Sequence, residues 1–279
     1  MYYSIDYYSF TIPVRAPFGD VGNETQKFVI NSFVTLLDAE HRHKFDFGSW
    51  GIEQAKGFYS ARLRHEVSGV ALSFGTINAH VFVELSGRSC VNFDAIDQLL
   101  PLVSATHERC SRIDFAVDIE TTTDPEEFSA SRKGTAFKSN GTIVSPSGKT
   151  CYLGSRKSER MARIYRYNKP HPRAHLLRVE AEYKADAAKV AAKHLSETSV
   201  REACLDAHAP FGWTHTIWGD ETGEGTKVPY KAYSPSNAST VRWLYGDVIA
   251  ALRKAVETGL VDLDDWLAKL AGDETEDKQ

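Results

Sequence analysis

Two carboxylates on one short segment have the type and spacing for metal chemistry. The segment Ser111–Glu120 alternates apolar and polar residues, and Asp114 and Asp118 occupy polar positions. Successive side chains of a strand point to opposite faces, so the two carboxylates would share one face. Such a face suits Mg²⁺ or Mn²⁺, which prefer oxygen ligands. The alternative is the solvated polar face of an antiparallel strand.

A second segment, Leu176–Lys184, repeats this alternation. One of its faces carries charged residues of both signs: Arg178, Glu180, Glu182 and Lys184. If the two segments are neighbours in a sheet, their carboxylates form an acidic cluster whose mutual repulsion favours a bound cation. The alternating charges are equally compatible with ion pairs between strands that compensate one another.

A third segment, Thr150–Lys169, contains Tyr165 and Tyr167 in a basic context. Its cations are Arg156, Lys157, Arg160, Arg163, Arg166 and Lys169. A phenol is a poor nucleophile at its usual pKa of about 10. Nearby cations favour the phenolate, and a metal ion on a phosphate neutralises charge that would repel it. The segment is therefore suited to phosphoryl transfer, unless both tyrosines simply pack and the arginines contact phosphates.

An α+β fold, with an antiparallel β-sheet core flanked by helices, would position these segments. Periodicity predicts strands over Tyr3–Pro13, Cys151–Gly154, Met161–Tyr167 and Leu176–Lys184, with several more between Gly57 and Phe93. It predicts helices over Glu24–Ala39, Asp94–Thr106 (with a kink or break at Pro101), Asp124–Ser131 and Ala185–Leu195. The Gly-, Ser- and Asn-rich residues Lys138–Lys149 are predicted to be loops.

The sequence changes character after Thr198. Aromatic residues and glycines indicate an irregular connection, after which Ser239–Glu257 and Leu263–Leu270 show the apolar spacing of helices. We therefore predict two parts. Residues 1–198 form the domain that carries the three segments, and residues 199–279 form an irregular connection and a small helical C-terminal region.

The composition narrows the class of protein. With 42% hydrophobic and 25% charged residues, the 279-residue chain resembles an ordinary globular protein, without a signal peptide or an apolar run long enough to span a membrane. Its four cysteines are scattered, which argues against a disulfide framework or a cysteine zinc site. The net charge is −4, yet residues 131–184 contain 13 Lys and Arg against three acids. Local basic surface of this kind suits a polyanionic partner.

The order of these motifs resembles the replication initiation factor family, the Rep_trans-type rolling-circle replication initiators of plasmids and phages. The resemblance is carried by Arg-Ile-Asp-Phe-Ala-Val-Asp at 112–118, Tyr-Leu-Gly-Ser-Arg-Lys-Ser at 152–158 with Ile-Tyr at 164–165, and His-Leu-Leu-Arg-Val-Glu-Ala-Glu-Tyr-Lys at 175–184. It covers residues 111–186 well and is weaker elsewhere. It implies a relaxase-like fold and a metal-dependent enzyme that nicks and rejoins single-stranded DNA at an origin through a 5′-phosphotyrosyl intermediate.

The resemblance also implies roles for individual residues. Counting from Tyr152 places the nucleophile at Tyr165, whereas the Tyr-Asn-Lys setting of the family aligns with Tyr167, so both are candidates. A divalent metal, Mg²⁺ or Mn²⁺, maps to Asp114 and to Glu180 or Glu182, with Asp118 as a further ligand. The residues implied for DNA or phosphate binding are Arg156, Lys157, Arg160, Arg163, Lys169, Arg178 and Lys184.

By the same resemblance, residues 1–198 are the catalytic nicking domain of a bacterial cytoplasmic protein with no membrane partner. Its expected partners are origin DNA in single-stranded or hairpin form, a host helicase and a second copy of the chain. Two other classes stay open. One is a non-catalytic DNA-binding regulator with the same fold. The other is a metal-dependent nuclease that forms no covalent intermediate.

Overall fold

The computed structural model describes residues 1–14, 22–55, 57–75, 79–95, 97–131, 137, 139–146, 148–167, 174–213 and 256. The chain divides into two compact units, Met1–Tyr230 and Lys231–Gln279. The sheet and the helices named below all belong to the first unit. The helices predicted over Ser239–Glu257 and Leu263–Leu270 lie outside the described residues, except for Val256, which is helical.

Ten strands form one antiparallel sheet. They are β1 Tyr2–Pro13, β2 Trp50–Glu53, β3 Ala61–His65, β4 Ala71–Phe74, β5 His80–Ser86, β6 Cys110–Glu120, β7 Ser139–Ser145, β8 Gly148–Leu153, β9 Arg160–Arg166 and β10 Leu176–Lys184. Their order across the sheet is β2-β3-β4-β5-β1-β6-β10-β9-β8-β7. The last strand in sequence therefore lies between β6 and β9, near the centre of the sheet.

Within the described part of the first unit, six α-helices accompany the sheet. They are α1 Asn23–Val34, α2 Gly87–Asp94, α3 Leu99–Thr106, α4 Pro125–Ala130, α5 Ala185–Glu197 and α6 Val200–His208. Short 3₁₀ turns cover Ala39–Phe45, Phe47–Ser49, His107–Arg109 and Ala209–Phe211. Among the residues described, none of the helices has the length and apolar character needed to cross a membrane.

One face of the sheet is apolar and shares a core with the helices. The side chains of Ile113, Phe115 and Val117 on β6 are buried there together with alanines of α5 and α6. Tyr183 of β10 stands edge-on to Phe115, with ring centroids 5.9 Å apart. Its hydroxyl donates a 2.7 Å hydrogen bond to the carbonyl of Ala207, which ties α6 to the sheet. Burial of this face provides the main hydrophobic stabilisation of the unit.

The opposite face carries charged side chains and tyrosines, and we call it the polar face. It is defined by residues from three neighbouring strands: Arg112, Asp114 and Asp118 of β6, Arg178, Glu180 and Glu182 of β10, and Arg163 and Tyr165 of β9. These residues alternate with the apolar residues because strand side chains point to the two faces in turn.

The predicted α+β class and antiparallel sheet are confirmed. Three local predictions differ from the structure. The helix predicted over Asp94–Thr106 is shorter, since α2 ends at Asp94 and α3 begins at Leu99; Pro101 lies in the first turn of α3, where an absent N–H breaks no helical hydrogen bond, so it causes no break. The loop predicted over Lys138–Lys149 contains β7 and the start of β8, joined by a tight turn in which Gly148 has a φ of 122°.

The third difference lies directly after Thr198, where an irregular connection was predicted. The structure instead begins α6, and its N-terminus is closed by a capping box between Ser199 and Glu202. The Ser199 side chain accepts from the Glu202 N–H, and the Glu202 carboxylate accepts from the Ser199 N–H. Trp213, which follows, is fully buried. Residues 200–213 therefore fold against the sheet as part of the first unit.

Candidate active site

Strand register brings the predicted carboxylates together on the polar face. On β6 and β10, Asp114 is opposite Glu182, and the small Ala116 is opposite Glu180. On β10 and β9, Glu180 is opposite Arg163. A long side chain on β9 can therefore reach across Glu180 and the space above Ala116 towards β6.

Tyr165 and Glu180 are joined by a hydrogen bond between their side chains. The Tyr165 hydroxyl donates a hydrogen bond to Glu180 Oε1. Burial, together with the negative charge of Glu180, raises the pKa of Tyr165 above its usual value. Burial also raises the pKa of Glu180 to about 7, and the charge of Asp6 contributes in the same direction. The phenol is thus held in its neutral form beside a carboxylate that is partly ionised at neutral pH.

Arg163 links this pair to Asp114. Its Nη2 atom lies 2.5 Å from Glu180 Oε2 and 3.3 Å from Asp114 Oδ2. Arg112 donates two hydrogen bonds to Asp114, from Nε to Oδ1 at 2.8 Å and from Nη2 to Oδ2 at 2.5 Å. Asp114 is only 1% exposed, and this burial raises its pKa in spite of the two arginines.

Glu182 belongs to the same group of charges. Its Oε2 atom lies 2.7 Å from Arg112 Nη2, and its Oε1 atom lies 2.7 Å from Lys184 Nζ. Because Arg112 contacts both Asp114 and Glu182, the two carboxylates are joined through one guanidinium.

Asp118 is held by Arg178, which donates to it with Nε at 2.7 Å and Nη2 at 2.9 Å. The third nitrogen of Arg178, Nη1, lies 2.6 Å from Asp6 Oδ1 and 3.9 Å from Glu180 Oε1, so Arg178 links Asp118 to the group around Tyr165. Asp6 lies at the irregularity in the β1–β6 register between Ile5 and Tyr7, which brings its side chain to Arg178 on the polar face. Sequence patterning did not identify Asp6 as part of the site, because a bulge breaks the alternation on which that pattern depends.

The two candidate nucleophiles lie side by side in different surroundings. The rings of Tyr165 and Tyr167 are 5.9 Å apart and nearly perpendicular. Arg178 lies over the Tyr167 ring, with its Cζ atom 4.9 Å from the centroid. Tyr165 therefore has a carboxylate at its hydroxyl, and Tyr167 has a guanidinium over its face.

The predicted phosphate-binding residues do not all share this face. Arg163 lies at the centre of the site, and Lys184 borders it. Arg178 is 5% exposed, and its guanidinium donates hydrogen bonds to Asp118 and Asp6. It therefore supports the site through these two carboxylates. Arg160 belongs to the apolar side of β9, where its Cζ atom lies 5.5 Å from the buried Tyr183 ring.

The remaining members of that predicted set lie in the turn between β8 and β9 or beyond β9. Arg156 and Lys157 are exposed in the turn. Arg156 lies over the Tyr152 ring, with its Cζ atom 4.5 Å from the centroid. Lys169 lies outside the described residues.

These side chains fit a divalent metal in their chemistry but not in their arrangement. Carboxylate oxygens are the right kind of ligand for Mg²⁺ or Mn²⁺. However, within the described part of the chain no three Asp, Glu, His or Cys side chains form a group able to hold a metal ion. Asp114, Glu180 and Glu182 turn their oxygens to Arg112, Arg163 and Lys184 instead. In this arrangement the carboxylates do not converge on a shared cation position.

Comparison with solved structures finds similarity over part of the chain. The chain is similar to the rolling circle replication initiator protein from Geobacillus stearothermophilus, with a TM-score of 0.48 and 15% sequence identity over 75% of this chain and 84% of that chain. No protein-family model matches the chain, and no curated protein sequence matches it. Function is therefore inferred from the side chains of the polar face.

Proposed function

We propose that the protein nicks and rejoins single-stranded DNA with Tyr165 as the nucleophile, as a replication initiator of the rolling-circle type. The observation that carries the proposal is the hydrogen bond from the Tyr165 hydroxyl to Glu180. A nucleophile hydrogen-bonded to a base whose pKa lies near neutral pH is a usual arrangement for covalent catalysis. The order of the motifs at residues 112–118, 152–165 and 175–184, which resembles the replication initiation factor family, supports the choice of DNA as substrate.

In the proposed reaction, the Tyr165 Oη atom attacks the phosphorus of a phosphodiester. Glu180 accepts the phenolic proton, and the bond from phosphorus to the 3′ oxygen breaks. The products are a 5′-phosphotyrosyl link and a 3′-hydroxyl, whose proton comes from water. Rejoining is the reverse, in which the 3′-hydroxyl attacks the phosphotyrosine and Glu180 returns its proton to Tyr165.

Arg163 is placed to stabilise the charge that develops on the phosphate. Its side chain is 28% exposed, so a phosphate can approach it from solvent. A guanidinium binds phosphate oxygens with two parallel hydrogen bonds, and such contacts are worth most where water is excluded. As a phosphate draws Arg163 away from Glu180, the carboxylate becomes a stronger base.

A divalent metal stays a prediction within this proposal. Its ligands would be Asp114 with Glu180 or Glu182, whereas Asp118 is engaged by Arg178. When bound, the ion would polarise the scissile phosphate as a Lewis acid. For binding, Arg112 or Arg163 must first release these carboxylates. A host helicase, a homodimer and a bacterial cytoplasmic location likewise stay predictions.

The test is the capture of a covalent protein–DNA adduct. The protein is incubated with a library of single-stranded oligonucleotides that have a random core, and adducts that survive denaturation are isolated and sequenced. The wild type and Tyr167→Phe are expected to form the adduct, and Tyr165→Phe is expected to form none. If instead Tyr167→Phe alone loses the adduct, Tyr167 is the nucleophile.

The same experiment separates the other functional classes. DNA that is retained by the wild type without cleavage or adduct indicates a DNA-binding regulator. Cleavage without an adduct indicates a nuclease that uses water. Parallel reactions with EDTA, Mg²⁺ and Mn²⁺ show whether the predicted metal is required.

A further inference from the structure

We propose that Tyr152 and Arg156 form a stacking subsite for one nucleobase of single-stranded DNA, beside the scissile phosphate. The inference deepens the proposed function, on which it rests for the class of ligand. It gives Arg156 a different role from the phosphate contact predicted from the sequence. The guanidinium would contact the face of a base instead of the backbone.

The position of Tyr152 follows from strand register. Tyr152 on β8 is opposite Arg163 on β9, and Thr150 is opposite Tyr165. Partners in register point to the same face, so Tyr152 shares the polar face with Arg163. From the spacing of strands and residues, the backbones of Tyr152 and Tyr165 are about 8 Å apart. A nucleotide adjacent to a phosphate at Tyr165 therefore reaches the Tyr152 ring.

Tyr152 and Arg156 already present a flat surface. The Arg156 guanidinium lies over the ring at 4.5 Å from Cζ to the centroid, while the residue is exposed to solvent. This is the geometry of a cation–π pair. Nucleobases stack on aromatic rings and on arginine planes, and this stacking tolerates different bases. Arg112 also lies over a ring, that of Tyr7 at 4.4 Å, but its nitrogens bind Asp114 and Glu182, and those of Arg163 lie against Glu180.

The turn between β8 and β9 holds the backbone of Arg156 beside the Tyr152 ring. Gly154 has a φ of 79°, and a Cβ atom there would lie 3.0 Å from the carbonyl oxygen of Arg160. Ser158 donates a 3.0 Å backbone hydrogen bond to Ser155. Lys184 donates from Nζ to the carbonyl of Arg156 at 2.6 Å. The subsite is thus connected to β10, the strand that carries Glu180.

The ligand that this surface fits is a base with its phosphates. Lys157 is exposed in the same turn and Lys184 lies beneath it, so cations flank the flat surface. Single-strand binding sites combine a positively charged groove with aromatic platforms. An acidic peptide would satisfy the charges without using the ring, and the test includes that outcome.

Photo-crosslinking tests the subsite directly. The probe is a thymidine dodecamer in which one central base is 5-iodouracil, because this base crosslinks to aromatic rings on which it stacks. Irradiation of the wild-type complex is expected to give a crosslink that peptide mapping assigns to Tyr152. Tyr152→Leu should lose this crosslink and bind the dodecamer about 5- to 150-fold more weakly, and Tyr152→Phe should keep both.

The matched variants at Arg156 decide between stacking and phosphate contact. Arg156→Lys keeps the charge but removes the plane, and we expect it to lose most of the crosslink with little change in the salt dependence of binding. Lys157→Ala should lower the salt dependence and keep the crosslink. A crosslink retained in Arg156→Lys, absent from Tyr152 in the wild type, or abolished by an excess of acidic peptide overturns the proposal. None of these measurements requires cleavage. The proposal of a stacking subsite can therefore be contradicted while the Tyr165 adduct still forms, and it can be supported while no adduct forms.

Discussion

The polar face carries two arginine–carboxylate groups in opposite halves of the sheet. The Arg62 cluster consists of Arg62, Glu53, Ser73, Glu84 and Tyr7, and the Tyr165 cluster consists of Tyr165, Glu180, Arg163 and Asp114. Each includes a tyrosine–glutamate hydrogen bond, since Tyr7 is bonded to Glu84 as Tyr165 is to Glu180. The two clusters have similar chemistry but differ in how completely their hydrogen bonds are satisfied.

In the Arg62 cluster, every nitrogen of the guanidinium has an acceptor. Nε contacts Glu53 at 3.0 Å, Nη1 contacts Ser73 at 3.1 Å, and Nη2 contacts Glu84 at 2.8 Å. Hydrogen bonds from Arg64 and Arg62 hold the pKa of Glu53 below its usual value. The Glu53 carboxylate is therefore ionised at neutral pH.

In the Tyr165 cluster, two buried polar atoms make no hydrogen bond. Arg163 Nε is buried without a hydrogen-bond partner, and Glu180 Oε2 lies 2.5 Å from Arg163 Nη2 without the geometry of a hydrogen bond. Buried polar groups are normally satisfied, and exceptions often mark sites of function. The difference suggests that the Arg62 cluster holds the sheet together and that the Tyr165 cluster is arranged to exchange partners and protons.

The largest expected effect separates the two glutamates in catalysis. Glu180→Gln removes the base for Tyr165, and we expect adduct formation to slow by about 10²- to 10⁴-fold. Glu84→Gln, the matched change in the Arg62 cluster, should alter the rate less than about threefold. Single-turnover adduct formation measures both, and circular dichroism verifies the fold. Equal rates of adduct formation in the two variants would contradict a catalytic role for the Tyr165 cluster alone.

The second prediction compares the arginines in stability. Arg62→Met leaves Glu84 and Glu53 without their shared partner, and we expect the free energy of unfolding to fall by about 3 kcal/mol. Arg163→Met should cost less, because Glu180 can take up a proton when its partner is lost. Urea unfolding at pH 7 gives both values. A larger loss of unfolding free energy for Arg163→Met would show that the Tyr165 cluster stabilises the fold more than the Arg62 cluster does.

The third prediction concerns the pH dependence of nicking. Glu180 must be ionised to accept the proton of Tyr165, and its pKa is raised to about 7. The rate should therefore rise about tenfold per pH unit below pH 7 and level off above it. In Glu180→Gln this step should vanish from the profile. A flat wild-type profile between pH 5 and 8 would contradict the role of Glu180.

The smallest expected effect is on the way the free energy of unfolding changes with pH. Because the pKa of Glu180 is higher in the folded chain than in the unfolded one, the folded chain keeps a proton that the unfolded chain loses. Its contribution to stability is present at low pH and declines as pH rises through about 7. Glu180→Gln should therefore be more stable than the wild type at pH 8, by about 1–3 kcal/mol.

Glu53 provides the opposite sign for the same measurement. Its pKa is lowered in the folded chain, so it stabilises the fold above its unfolded pKa and loses that contribution in acid. Glu53→Gln should be less stable than the wild type at pH 8. Thermal unfolding at pH 8 compares both variants with the wild type, and changes of the same sign would contradict the comparison.

The alternation of β6 and β10 could be predicted, because a period of two depends only on local sequence. It placed Asp114, Asp118, Glu180 and Glu182 on one face, as the structure does. The same rule would have placed Arg160 on the face opposite Arg163, since the two are an odd number of residues apart. For α6, the Ser-x-x-Glu pattern at Ser199 was the available signal.

Other features depend on distant contacts and could not be predicted. The position of β10 beside β6, and the choice of arginine for each carboxylate, follow from pairing between segments far apart in the chain. Asp6 reaches Arg178 through a bulge that no alternation pattern contains. The roles proposed for Tyr165 and the metal ligands stay predictions until an adduct is measured.

The position of β10 also has a consequence for synthesis of the chain on the ribosome. Until Leu176–Lys184 has emerged, β6 and β9 each lack a neighbour that they have in the finished sheet, and Tyr165 has no carboxylate at its hydroxyl. A nascent chain that ends at Arg166 thus exposes two unpaired strand edges and lacks the carboxylate that we propose as the base for Tyr165. Insertion of one strand therefore both completes the sheet and creates the proposed reactive pair, so a chain that ends before β10 is expected to form no adduct with DNA.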